Sequence, residues 1–158
     1  MTSIEKAISI FGITVELTRS QSQNFIIITN HWKNFNHQLK QNQFNQISEN
    51  WCKYGVTFKI GERYFYLAAI PWKGQNLPDN FIKKEIPKGE YAVFFHKGAM
   101  ENIKNTIHSI YKEILPTSNL SLKQTPQTGF MHFEKYDYRF QWNKSDSIVA
   151  IWVPIITE

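Results

Sequence analysis

The sequence predicts an α+β fold built from two similar halves, and three observations carry that prediction. The order strand, helix, strand, strand can be read twice along the chain. Each round closes with an apolar strand that stops at a proline, YLAAIPW in the first and VAIWVPII in the second. Two long segments, 24–39 and about 99–115, have apolar residues recurring at three and four, the spacing of one helical face; most apolar residues elsewhere alternate or run on without a break, as strands do. Neither half can bury both its helix and the face of its sheet alone, so the two are expected to share one core. The chain is therefore read as one domain, residues 1–158, with halves at 1–77 and 78–158. The junction between them is where a concave site is expected.

The element around which the rest is organised is the stretch 128–156, TGFMHFEKYDYRFQWNKSDSIVAIWVPII. It holds two runs rich in aromatic and β-branched residues joined by the polar segment 141–147, which reads as a hairpin. The run 148–156 is apolar on both faces, as a strand covered on both sides should be. In the earlier run, His132, Glu134, Tyr136 and Tyr138 share one face, and Met131, Phe133, Lys135 and Asp137 share the other.

In chain order, residues 1–11 read as a short amphipathic segment or a strand end, and 13–17 as the first strand. Residues 24–39 carry Ile27, Ile28, Trp32, Phe35 and Leu39 near helical spacing and predict a helix held by packing, because its β-branched residues weaken its propensity. Residues 41–51 read as a loop or short helical turn. Residues 54–59 and 63–72, joined by Ile60-Gly61-Glu62, read as a hairpin ending at Pro71, where a missing amide hydrogen interrupts the ladder. Residues 73–80 read as a connection between the halves. Residues 81–86 and 91–95 predict one interrupted strand or a tight strand pair, broken at Pro87-Lys88-Gly89. A second helix is predicted from Ala99 or Met100 to Leu115, with Ile103, Ile107, Ile110, Tyr111 and Ile114 on one face and Pro116 ending it. Residues 117–127 read as a loop.

Composition excludes several classes of function. One cysteine, Cys52, leaves no internal disulfide and no thiol cluster for zinc or iron–sulfur. There is no signal-peptide pattern and no apolar run near 18 residues, so a cytoplasmic protein with no membrane partner is expected. The net charge is +5, but its lysines are scattered among acids with only three arginines, so no stripe follows a phosphate backbone and no direct nucleic-acid binding is expected. His31, His37, His96, His108 and His132 form no HExxH or HxH unit, and the glycines form no phosphate-cradling motif, so neither metal nor cofactor is expected.

The residue that stands out is Glu134, a carboxylate in the middle of an aromatic strand, because burying it costs several kcal/mol, roughly, unless it is paired or neutralised. Three roles remain open: a structural partner for a cation or a backbone donor, the anionic floor of an aromatic pocket, or a general acid or base. His132 shares its strand face and permits a common polar site. Alternation groups Tyr64, Tyr66 and Ala68; Tyr91, Val93 and Phe95; and Ile148, Ala150 and Trp152 as candidate pocket faces. The opposite sets, Phe65 with Leu67, Ala92 with Phe94, and Val149 with Ile151, are expected beneath helices.

The run IPKGEYAVFFHKGAMENIKNTIHSIYKEILP, followed by FEKYDYRF and IVAIWVPI, resembles the effector-binding domain of gyrase-inhibitory-like proteins, also found at the C-terminus of many AraC-type bacterial transcription activators. The resemblance is most specific from Ile86 to Ile155; YGVTF and YFYLAAIP match more loosely. It implies a SOUL/GyrI-like fold, with two halves forming a curved antiparallel sheet and a central groove that Glu134 faces. Tyr66, Trp72, Phe94, Tyr136 and Trp152 are the implied aromatic walls. Non-catalytic binding of a small amphipathic molecule, cationic or aromatic, is the implied function, with a sensing or regulatory role. Because 158 residues leave no room for a helix-turn-helix region, a stand-alone protein is expected, a monomer or small homo-oligomer that buffers or senses a compound or regulates through a protein partner. The alternatives are a hydrolase or other acid–base enzyme using Glu134 with Tyr136 or Tyr66, and a protein-interaction role such as gyrase inhibition.

Overall fold

The computed structural model describes residues 2–44, 51–118, 121–122, 129–142 and 144–156. The strands are β1 (Thr2–Ile4), β2 (Ile8–Glu16), β3 (Lys53–Ile60), β4 (Arg63–Pro71), β5 (Ile82–Ile86), β6 (Gly89–Lys97), β7 (Ser121–Leu122), β8 (Phe130–Tyr136) and β9 (Ile148–Ile156). Helix α1 spans Gln21–Gln41 and α2 spans Ile103–Ser109. A 3-10 turn at Met100–Asn102 leads into α2, and a π turn at Ile110–Ile114 follows it.

Strand pairing is antiparallel throughout, in the order β1-β6-β9-β8-β3-β4-β2-β5, with the short β7 against the end of β9. The arrangement has an internal symmetry, since β2-α1-β3-β4 and β6-α2-β8-β9 are the two halves and β3 meets β8 at the seam. The lead strands are exchanged: β1 runs into β2 but pairs with β6, and β5 runs into β6 but pairs with β2. Of the two readings of 81–95, one interrupted strand or a tight strand pair, this corrects the second: the segments on either side of Pro87-Lys88 do not pair with one another.

The exchange also forces curvature. In a flat sheet of this order β5 and β6 would be six strand spacings apart, about 29 Å. Only Pro87 and Lys88 separate them, and three Cα steps span at most about 11 Å. The sheet therefore curls until its edges approach. Inside the curl lies one apolar cluster that includes Ile10 from β2, Ile86 from β5 and Tyr91 from β6, with Tyr54, Leu67 and Phe133. The outer face carries the helices: Phe35 and Leu39 of α1 pack on Phe11, Tyr66 and Ala68, while Ile103 of α2 and Ile110 pack on Val149, Ile151 and Val153.

Helix α1 is longer than the predicted 24–39. Ser20 caps it by accepting from the Gln23 amide, and its inward stripe is Ile28, Trp32, Phe35 and Leu39, with His31 buried beside them and bonded to the Ile13 carbonyl at 2.6 Å. Strand β2, read from sequence as the first strand at 13–17, begins at Ile8, because β5 pairs with it from Ile8 and β4 from Ile10. The predicted second helix is in place but divided into 3-10, α and π turns. Most of the predicted loops at 41–51 and 117–127 lies outside the described residues. Among the described residues, no helix is long and apolar enough to cross a membrane.

Candidate ligand-binding site

At the seam, β3 and β8 place Glu134 opposite Gly55 and His132 opposite Thr57. The alternation of β8 turns Phe133 into the curl, where it packs with Tyr91 and Trp152, and turns His132, Glu134 and Tyr136 outward beneath the helices. Tyr138, past the strand end, is exposed instead.

Between α1 and α2, above this seam, is a cavity of about 490 Å³. Its floor is Thr57, Tyr64, His132, Glu134 and Tyr136; α1 contributes Phe25, Ile28 and Trp32; Met100, Ile103 and Ile107 form the opposite wall. The more exposed Arg19, Glu62, Lys104 and Trp142 also line it. Apolar walls, a few convergent polar groups and this volume are the usual properties of a small-molecule pocket.

Glu134 is 5 % exposed and receives two hydroxyl hydrogen bonds on one oxygen, Oε1, from Tyr66 at 2.8 Å and Tyr136 at 2.7 Å. The Tyr66 hydroxyl in turn accepts from Trp32 Nε1 of α1 at 2.9 Å, which ties helix, strand and carboxylate together. Burial pushes the Glu134 carboxyl above its usual value, and the two phenols pull it partly back. Both phenols are held well above their own usual value, chiefly by burial and then by the adjacent carboxylate, so they remain protonated donors. Among the described residues no cation pairs with Glu134; the ion pairs are Arg63 with Glu16 and Arg139 with Asp137.

Glycine at position 55 is what lets this network form. A Cβ there would stand inside the van der Waals shell of the Tyr66 hydroxyl and 2.8 Å from Glu134 Oε1. The missing side chain makes room for the phenol to cross β3 and reach β8.

Of the six residues proposed from sequence to bind ligand, three converge. Glu134 and Tyr136 line the cavity, and Tyr66, fully buried, stands behind Glu134. The other three lie elsewhere. Trp72 packs near the sheet edge, its indole donating to the Gln75 carbonyl at 3.1 Å and its ring 3.9 Å from Lys83 Nζ. Phe94 packs with the cluster beneath α2. Trp152 lies inside the curl, stacked on Phe133 at 5.4 Å. The sets expected beneath helices lie there in the second half, where Phe94, Val149 and Ile151 pack under α2, but not in β4, where Phe65 and Leu67 face the curl and Tyr66 and Ala68 face α1; of the three candidate pocket faces, the one on β4 lines the cavity, through Tyr64, and the two of the second half do not.

The residue that the sequence reading missed as a site residue is Trp32. Its signal was present: Phe25, Ile28, Thr29 and Trp32 recur at helical spacing as a second stripe beside His31, Phe35 and Leu39. A stripe wider than one core contact requires has a second surface to cover. Among the described residues no group of three or more His, Cys, Asp or Glu side chains could hold a metal.

A curled antiparallel sheet of two exchanged halves, with a buried glutamate beneath a cavity between two helices, defines an effector-binding fold of the GyrI-like type. The chain belongs to the family of integron-associated effector binding proteins, Cass2, whose model matches residues 4–155. It is 30 % identical over 96 residues to the transcriptional regulator BrlR of Pseudomonas aeruginosa, an alignment covering 60 % of this chain and 34 % of BrlR; the chain thus spans about a third of that regulator. Among solved structures, the integron cassette protein VCH_CASS2 of Vibrio cholerae superposes with a TM-score of 0.66 at 17 % identity, over 98 % of this chain and 94 % of that one. SAV2435, solved bound to tetraphenylphosphonium, gives 0.69 at 15 % identity, over 98 % and 92 %. The C-terminal domain of EcmrR gives 0.63 at 15 % identity, over 99 % and 96 %.

Proposed function

We propose that residues 1–158 act as one effector-binding domain that holds a small amphipathic organic cation in the cavity between α1 and α2, without turning it over, in a sensing or regulatory role. The observation that carries this reading is the buried Glu134 carboxylate, held by two phenols and by no cation among the described residues, at the floor of an apolar cavity. Desolvation leaves that carboxylate short of stabilisation, and a bound cation supplies it. Trp32 and Tyr136, with ring centroids 5.3 Å apart, offer aromatic faces to the same cation. The relative bound to tetraphenylphosphonium and the relation to a transcriptional regulator support the same reading.

Calorimetry with tetraphenylphosphonium and the neutral triphenylphosphine oxide tests it. Glu134→Gln should weaken the cation by about 1–3 kcal/mol and leave the neutral ligand nearly unaffected. Equal losses for both would overturn the assignment of Glu134 as the charge-selecting group.

A second reading, acid–base chemistry on a reactive small molecule, is favoured by one observation: the Glu134 carboxyl is raised by burial and sits within hydrogen-bond reach of Tyr66 and Tyr136. In that case Glu134→Gln abolishes turnover while affinity largely survives, the reverse of the pattern expected for simple binding.

A further inference from the structure

His132, as well as Glu134, faces this cavity with unused hydrogen-bonding capacity. His132 lines the cavity two residues before Glu134 on the same face of β8, so the two side chains leave the strand about 6.6 Å apart. Its Nδ1 is bonded to the Tyr111 hydroxyl at 2.8 Å. Neither His132 Nε2 nor Glu134 Oε2 makes a hydrogen bond among the described residues. Yet the only side-chain polar atom among those residues that is both fully buried and unpartnered is Trp152 Nε1. His132 Nε2 and Glu134 Oε2 are therefore each reached from the open space of the cavity.

The support of His132 is itself unusual. Tyr111 lies in the π turn Ile110–Ile114 that follows α2, and π turns within helices are uncommon and concentrate at functional sites. The irregular turn carries the phenol that holds the ring of His132 in one orientation, while Ile110 stays buried in the core beneath the helix.

We propose that His132, positioned by Tyr111, is a second polar anchor of the cavity, so that this chain selects amphipathic cations bearing a hydrogen-bond acceptor such as a hydroxyl, ether or carbonyl oxygen over purely hydrocarbon ones. The inference rests on the reading of Glu134 as the cation-binding group. Burial pushes the His132 imidazole down to about 4, so the ring is neutral near pH 7 and adds no positive charge against a cation. A phenol donates well to an imidazole nitrogen, and with Nδ1 accepting from Tyr111 the ring carries its hydrogen on Nε2. The cavity then presents an acceptor at Glu134 and a donor at His132, facing the apolar walls of Phe25, Ile28, Met100, Ile103 and Ile107.

A matched pair of probes tests this, (3-hydroxypropyl)triphenylphosphonium and butyltriphenylphosphonium, which share charge and chain length and differ in a terminal hydroxyl against a methyl. An apolar cavity favours the butyl compound, because a hydroxyl loses water without replacement. A donor at His132 reverses the order, and the wild-type chain should bind the hydroxyl compound about 3- to 10-fold more tightly. His132→Leu should remove that preference, and Tyr111→Phe, which keeps the imidazole but releases it, should reduce it; thermal melting checks that each variant is folded. The wild-type comparison needs no variant at all. If both cations bind and the butyl compound is preferred, or if the hydroxyl preference survives in His132→Leu, the second anchor is refuted while the Glu134 reading stands. If neither cation binds, both fail.

Discussion

Replacing Gly55 with alanine adds one methyl group to the interior of β3 and removes nothing. Gly55 has no positive φ, so alanine fits the backbone, and in a strand interior this exchange ordinarily stabilises by roughly 0.5–1 kcal/mol. The structure predicts the opposite sign. The new Cβ would meet the Tyr66 hydroxyl and ring tip and would stand 2.8 Å from Glu134 Oε1, and the hydroxyl must retreat by more than about 1 Å to reach ordinary contact distance. Tyr66 is 0 % exposed, so its ring has no free space to swing into. Its bonds to Glu134 and from Trp32 are both lost, leaving buried groups unpaired at about 1–3 kcal/mol each, which puts the destabilisation at roughly 2–5 kcal/mol. Urea unfolding of wild type, Gly55→Ala, Tyr66→Phe and the double variant measures this. The double variant should cost less than the sum of the singles, because both remove the same bonds. A Gly55→Ala protein as stable as wild type, or more so, would refute the account of the network.

Three further outcomes follow from the same groups. Under the proposed function cation binding requires an ionised Glu134, and Tyr136 lowers that carboxyl by its hydrogen bond, so Tyr136→Phe should move the acid midpoint of cation binding to higher pH, read by calorimetry across the acid range; an unmoved midpoint counts against the bond. The folded Glu134 carboxyl lies above its unfolded value, so its contribution to stability is present at low pH and lost as pH rises through the folded value. Unliganded Glu134→Gln should therefore be more stable than wild type at pH 7 in urea unfolding, with the gain shrinking toward pH 4. His132 has the opposite sign: its folded value near 4 lies below the unfolded 6.5, so stability is fully present above pH 6.5 and falls by up to about 3 kcal/mol as pH drops through about 4. His132→Asn should flatten that acid limb, and an unchanged slope would show that the imidazole is not buried neutral.

Much of the fold is legible because local periods are strong. The hairpin of β3 and β4 and the long apolar β9 announce themselves by composition and by their proline ends. Those prolines carry more than their ends: aligning Pro71 with Pro154 sets Ala69 against Trp152 and Ala68 against Ile151, so Tyr66 and Trp152 belong on opposite faces of the sheet and not on one groove wall, and the structure has Tyr66 on the helix side and Trp152 in the curl. The exchanged lead strands are less accessible. β5 and β6 are neighbours in sequence and look like a pair, but each finds its partner at the opposite edge of the sheet.

The sequence by itself determined which residues lie on common faces of a strand or helix, because periods of 2 and 3.6 are properties of the local chain: His132, Glu134 and Tyr136 are together on β8 whatever surrounds it. It also marked Glu134 as out of place, since a carboxylate among aromatics needs a compensating partner wherever the strand sits. Only the tertiary structure decided what that partner is. Tyr66 lies 68 positions away and reaches Glu134 across a strand that has a glycine at the crossing point, and Trp32 arrives on a helix from the other side. Such contacts depend on the register of β3 against β8 and on the closure of the curled sheet. Both are set by the summed packing of two halves rather than by any local preference, which is why the floor of the site could be read in one dimension and its walls could not.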